Sequence, residues 1–160
     1  MTKKHVAVIM GGWSPERDIS LISGEGCAKA LEASNYQVSR IDAGHNLAEQ
    51  LQAVKPDVIF NALHGVGGED GVVQGLFELL EIPYTHSGVM ASALAMDKIQ
   101  AKKIFAEAGL SVAPDKKVFS GDISNHPMTP PYVVKPINQG SSVGIAVSYT
   151  HLTLPTTYGV

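Results

Sequence analysis

Four segments of this 160-residue chain combine residue types that could do chemistry. The first is Gly11-Gly12-Trp13-Ser14-Pro15-Glu16-Arg17. Its two glycines let the backbone come close to a ligand, and Glu16 could hold an ammonium group through a charge-assisted bond. The second is His64-Gly65-Val66-Gly67-Gly68-Glu69-Asp70-Gly71. Four glycines beside a histidine suggest close approach to a ligand. The G-x-G-x-x-G dinucleotide pattern is missed, because Asp70 stands where the last glycine belongs. The third is Lys98, on the first turn of an expected helix. The fourth is Lys135-Pro136-Ile137-Asn138-Gln139-Gly140-Ser141-Ser142-Val143-Gly144. Here a lysine closes what reads as a buried strand, where an unpaired ammonium is costly and an anionic partner would explain it. The small-residue loop that follows offers backbone N–H groups and two hydroxyls able to cover phosphates.

Each residue also has a plainer reading. Glu16 alone would be a solvated loop acid, His64 a turn histidine bonded to backbone, and Lys98 a solvated helix lysine. Residues 140–144 match G-x-S-x-G, but a nucleophile elbow passes directly from strand to helix and this segment does not. There is no Walker A loop, no H-E-x-x-H and no carboxylate cluster with EF-hand spacing.

The elements that must position these loops follow from apolar patterning. Val6–Met10, Tyr36–Ile41 and Asp57–Leu63 read as strands, with Tyr84-Thr85 as a short fourth. Between them, helices are expected to carry Ile19, Ile22, Cys27, Ala30 and Leu31, then residues 46–54, then Val72 to Leu80. This β-α alternation predicts a parallel sheet with right-handed crossovers. Ligands then bind beyond the carboxyl ends of the strands, where the first and second segments lie. Residues 88–96 read as a short helix or linker. Lys98–Ala108 reads as a helix capped by Asp97 and ended by Gly109, with Ile104, Phe105 and Ala108 on its apolar face. Lys117–Phe119, Tyr132–Lys135 and Ile145–Val147 are candidate strands.

Composition narrows the classes. With 12 basic and 15 acidic side chains the net charge is −3, which argues against nucleic-acid binding through a broad basic surface. Cys27 is the one cysteine, so an intrachain disulfide and a multi-cysteine zinc site are excluded. No apolar run reaches the ~20 residues of a membrane span.

Taken as an ordered set, these segments resemble the amino-terminal half of the D-alanine–D-alanine ligases of the ATP-grasp superfamily. The resemblance runs from Gly11-Gly12 and Glu16-Arg17 through His64-Gly65, Gly67 to Gly71, Gln74-Gly75, Pro83 to Thr85, Ser87 to Ala93 and Met96-Asp97-Lys98, to Val133 to Pro136 and Gly140 to Gly144. It covers about residues 4–147. It implies an α/β protein: a Rossmann-like parallel-sheet substrate domain over 1–95, then an incomplete central ATP-grasp subdomain over 96–147. The tail 148–160 lies outside the resemblance and reads as adaptor-derived sequence.

The family joins two D-alanines with ATP for peptidoglycan synthesis, through an acyl phosphate. By that likeness Glu16 holds the first D-alanine ammonium and His64 lies near its carboxylate. Lys98 and Lys135 contact ATP phosphates. Ser141 works within the Glu16 network, and Ser142 borders both substrate and nucleotide. Glu16 and Ser141 are the catalytic candidates. The resemblance further implies magnesium, or manganese in its place, with its ligands outside this chain. It also implies a cytoplasmic homodimer with no nucleic-acid or membrane partner. Lacking the family's carboxy-terminal half, the chain is expected to be inactive by itself. The alternative is a non-catalytic dimerisation or weak ligand-binding module.

Overall fold

The computed structural model describes residues 3–119, 126–140 and 143–148. Four strands, β1 (His5–Gly11), β2 (Gln37–Ala43), β3 (Val58–Asn61) and β4 (Tyr84–Thr85), form one sheet in the order β2-β1-β3-β4. Every pairing is parallel, Ile9 lying beside Ile41 on one side and Asn61 on the other. The helices between them are α1 (Arg17–Ala33), α2 (Leu47–Val54) and α3 (Val72–Leu79).

The sheet is covered on both faces, which is why β1 is a continuous apolar run rather than an alternating one. Val6, Val8 and Met10 pack with Ala28 of α1 on one face. Ala7 and Ile9 pack with Leu47 and Leu51 of α2 and with Val73 and Phe77 of α3 on the other. The chain leaves β1 toward β2, then returns past β1 to reach β3. The direction of winding therefore changes between β1 and β3, and a crevice opens at their carboxyl ends.

The inward face of α1 differs from the expected apolar one. Ser20, Gly24 and Ala28, spaced four apart, are its buried residues, while Ile19 and Ile22 are exposed, Ile22 by 71%. The reason is distance. A Cβ placed on Gly24 would come 2.5 Å from the Cβ of Met10, so the helix lies against the sheet at a separation that excludes larger side chains.

After β4 come α4 (Val89–Met96) and α5 (Lys98–Glu107), then a two-stranded antiparallel pair, β5 (Tyr132–Val134) and β6 (Ala146–Ser148). Asp97 caps α5 as expected, its Oδ1 accepting from the N–H groups of Ile99 and Gln100 at 2.9 and 3.0 Å. Gly109 follows with φ +79°. No residue of α5 is buried, so Ile104 and Phe105 form an uncovered apolar face. Lys117–Phe119 is not a strand. β5 is not buried either: Val133 is 49% exposed, and Lys135 at its end is exposed. The expectation of a desolvated lysine there is thus corrected. Among the described residues no helix is long and apolar enough to cross a membrane.

Candidate functional site

The loops that follow β1 and β3 meet at the crevice, and three serine hydroxyls join them. Ser20 Oγ accepts from the N–H of Gly11 at 2.9 Å and donates to the carbonyl of Ala62 at 2.7 Å. This ties the end of β1 to the end of β3. Ser14 Oγ donates to the carbonyl of His64 at 2.7 Å and accepts from the N–H of Glu16 at 3.1 Å. One hydroxyl therefore sets the backbones of both Glu16 and His64. Ser23 Oγ lies 3.2 Å from Nε2 of His64. Arg17 braces the first loop from outside, donating to the Gly12 carbonyl at 3.0 Å and to both oxygens of Asp42 at 2.7 and 2.6 Å. That guanidinium holds the Asp42 carboxyl below its ordinary pKa.

The second loop is folded by its own polar side chains. Glu69 Oε2 accepts from the N–H of Gly65, and Asp70 Oδ2 from that of Gly67, both at 2.7 Å. Asn61 and fully buried Gln74 donate to the Gly68 carbonyl at 2.9 and 2.8 Å, and Gln74 Oε1 accepts from the Gly71 N–H at 3.0 Å. The N–H groups of Gly65, Gly67 and Gly71 are therefore occupied. Despite its glycines the loop does not offer the run of open donors that a pyrophosphate needs, in keeping with its departure from the dinucleotide pattern. Its glycines serve close approach. Gly65 has φ +70°, and a Cβ there would sit 2.8 Å from Oε1 of Glu16; at Gly67, φ +86°, it would strike the Trp13 ring at 2.5 Å.

Glu16, His64 and Glu69 converge as a result, with one ligand atom of each within 4.8 Å of the others. Glu16 is buried, 4% exposed. A Cβ on Gly140 would come 3.0 Å from the same Glu16 oxygen, so the loop that ends at Gly140 also reaches the acid. Lys98 is the link. Its Nζ donates to the carbonyls of Gln139 at 2.6 Å and Ile137 at 3.3 Å, and its backbone N–H to Ile137 at 3.2 Å. Lys98, Gln139 and Gly140 line a cleft of about 290 Å³ together with Glu69, His86 and Ser92.

The structure thus brings Glu16, His64 and Lys98 to one region. Lys135 is exposed and does not line that cleft. Ser141 and Ser142 lie outside the described residues. Sequence reasoning missed Ser14, Ser20, Ser23, Gln74 and His86. The Ser20-Gly24-Ala28 spacing was a readable sign of a close helix face, and Gln74 was a polar residue inside an apolar helix. His86 carried no such signal. It has φ +147°, with Nδ1 3.1 Å from Gln74 Nε2 and 3.3 Å from Ser92 Oγ.

Comparison with known proteins bears on these loops directly. A family model described as the D-ala D-ala ligase N-terminus matches residues 42–87. D-alanine–D-alanine ligase B of Brucella suis is 60% identical over 148 residues, covering 92% of this chain and 48% of that protein. D-alanine–D-alanine ligase of Sinorhizobium medicae is 57% identical over 151 residues, again 92% and 48%. Among solved structures, D-alanine–D-alanine ligase from Bacillus anthracis superposes with a TM-score of 0.74 at 34% identity, covering 91% of this chain and 49% of that one. The chain spans about half the length of the curated relatives it matches.

Proposed function

We propose, from the premise that the chain belongs to the D-alanine–D-alanine ligase family and aligns with its amino-terminal half, that it supplies the first-substrate side of an ATP-dependent ligase. The reaction proposed is the joining of two D-alanines for peptidoglycan synthesis. A carboxylate oxygen of the first D-alanine attacks the terminal phosphorus of ATP, and ADP leaves. The amine of the second D-alanine then attacks the acyl phosphate, and inorganic phosphate leaves as the peptide bond forms.

In this reading Glu16 holds the first ammonium and His64 lies near the carboxylate of that amino acid. Lys98 and Lys135 offset phosphate charge, and Ser141 and Ser142 belong to the loop that closes over the reacting groups. The proposed division is a substrate domain over 1–95 and part of an ATP-grasp domain over 96–147. The observation that carries the reading is the buried Glu16 carboxylate, closely approached by both Gly65 and Gly140, next to the Lys98 cleft. A fixed carboxylate in a water-poor crevice can orient an ammonium before reaction. The family's magnesium has no evident holder among the described residues: Glu16, His64 and Glu69 include an imidazole, whereas Mg²⁺ beside phosphates takes oxygen ligands. We place the enzyme in the cytoplasm, as a homodimer that covers exposed apolar residues of α1 such as Ile19 and Ile22.

The test is a fusion of residues 1–147 to the carboxy-terminal half of the Brucella suis relative, assayed for phosphate release. We expect D-alanine-dependent turnover. Glu16→Gln should lower kcat/KM about 100-fold, the order expected when a charged partner is lost. A folded fusion that binds ATP but ignores D-alanine would refute the reading.

A further inference from the structure

Gln74 is fully buried, and two backbone groups fix which way its amide faces. Its Oε1 accepts from the N–H of Gly71 at 3.0 Å, and its Nε2 donates to the carbonyl of Gly68 at 2.8 Å. An amide nitrogen has two hydrogens and cannot accept. Nδ1 of His86 lies 3.1 Å from that same Nε2, so it meets a donor and must present its lone pair. A hydrogen on Nδ1 would set two donors against each other beside a buried amide. Ser92 Oγ, 3.3 Å from Nδ1, does not alter this, because a hydroxyl can take either part and the amide cannot. In the neutral ring the hydrogen is therefore on Nε2, which has no hydrogen-bond partner among the described residues.

Two further observations give that hydrogen a use. His86 has φ +147°, a backbone conformation that ordinarily belongs to glycine and that concentrates at functional positions. It also lines the cleft of about 290 Å³ in which Lys98 lies. The Lys98 ammonium directs two of its three hydrogens to the carbonyls of Gln139 and Ile137, so one remains. Glu69, the one acid lining the cleft, accepts from the Gly65 N–H. We infer that His86 is a second donor, beside Lys98, for a phosphoryl oxygen, and that Gln74 is the positioning residue that keeps hydrogen on Nε2 of His86. Lys98 supplies the charge, and the neutral N–H adds a directed bond. The phosphoryl part rests on the reading of Lys98 proposed above; the place of the proton does not.

The experiment uses the full chain with ¹⁵N-labelled histidine and lysine, followed by NMR at a pH where the ring is neutral. The His86 signals are those lost in His86→Gln. In the unaltered chain we expect a single Nε2–H tautomer at His86; an Nδ1–H form or a mixture overturns the inference whatever the variants do. Gln74→Met removes the donor and should give a mixture of tautomers. Gln74→Glu keeps the shape but presents an acceptor, and should place hydrogen on Nδ1. A folded variant of either kind that keeps the single Nε2–H form overturns the positioning role. Inorganic phosphate, acetate and chloride at equal ionic strength probe the ligand. Phosphate should shift both His86 Nε2 and the Lys98 backbone signal, and the other two should shift neither. Equal movement with acetate or chloride overturns the phosphoryl assignment. Movement of Lys98 without His86 overturns the donor role of His86 and leaves the Lys98 reading standing. Stillness of both overturns the Lys98 reading and the phosphoryl part with it, while the tautomer is decided separately.

Discussion

Glu16 and His64 are held by hydroxyls that reach out of a doubly covered core, whereas the described contacts of the Lys98 ammonium are two carbonyls of the 137–139 loop. On the first side, Ser14 and Ser20 each bridge groups about forty to fifty residues apart in sequence, inside the same crevice. On the second side α5 buries none of its residues, and the β5–β6 pair is short and half open. The difference teaches where rigidity is needed. The acid and the imidazole at the crevice are fixed by the fold. The Lys98 ammonium is tied to one neighbouring loop and takes its place from that loop.

The comparison can be broken most directly at Ser20. Ser20→Ala leaves the Gly11 N–H and the Ala62 carbonyl buried without their partner. We expect a loss of about 3 kcal/mol, measured by urea unfolding; a loss under about 1 kcal/mol would mean the two strand ends do not depend on this bridge. Gly24→Ala comes next. The new methyl would meet Met10 at 2.5 Å, an overpacking that should outweigh the gain in helix propensity and leave a net loss of about 2 kcal/mol. Thermal unfolding followed by circular dichroism reads this, and a rise in Tm would show that α1 can lift without penalty.

Asp97→Ala sharpens the contrast instead. Loss of the cap should weaken α5 by about 1 kcal/mol, visible as faster amide exchange in α5 while β1 and β3 keep their protection. Equal acceleration in both would make the two regions one cooperative unit. The smallest effect is at the surface. Asp42→Asn removes the partner of Arg17, both largely solvated, and should change stability by about 0.5 kcal/mol or less at pH 7. Because Arg17 depresses the Asp42 pKa, the contribution is complete above its ordinary 3.8 and disappears as pH falls through the lower folded value. Unfolding curves of the two proteins should therefore converge in acid.

Much of the frame was legible because its signals are local. Five apolar residues before Gly11, Pro56 after residues 46–54, and Asp97 ahead of Lys98 mark their elements within a few positions. The alternation of strand and helix then put Glu16 and His64 at one edge. What escaped was set at long range. Hydropathy favours turning Ile19 and Ile22 inward, but the separation between α1 and the sheet admits Ser20, Gly24 and Ala28 instead. The serine bridges have no local signature, since a hydroxyl bound to Ala62 looks in sequence like any serine on a helix. Lys135 misled because an apolar run before a lysine resembles a buried strand, whereas Val133 is half exposed.

Seventeen residues make α1 a rod about 25 Å long, gripped at its waist where Gly24 meets Met10. Glu16 sits at one tip. At its middle and its far turn, Glu25 and Glu32 hold Arg40 at 2.8 and 2.6 Å. The rod is therefore fastened along its length, by hydroxyl bonds at Ser20, close contact at Gly24 and Ala28, and charge to β2 through Arg40, so Glu16 is anchored by every turn behind it.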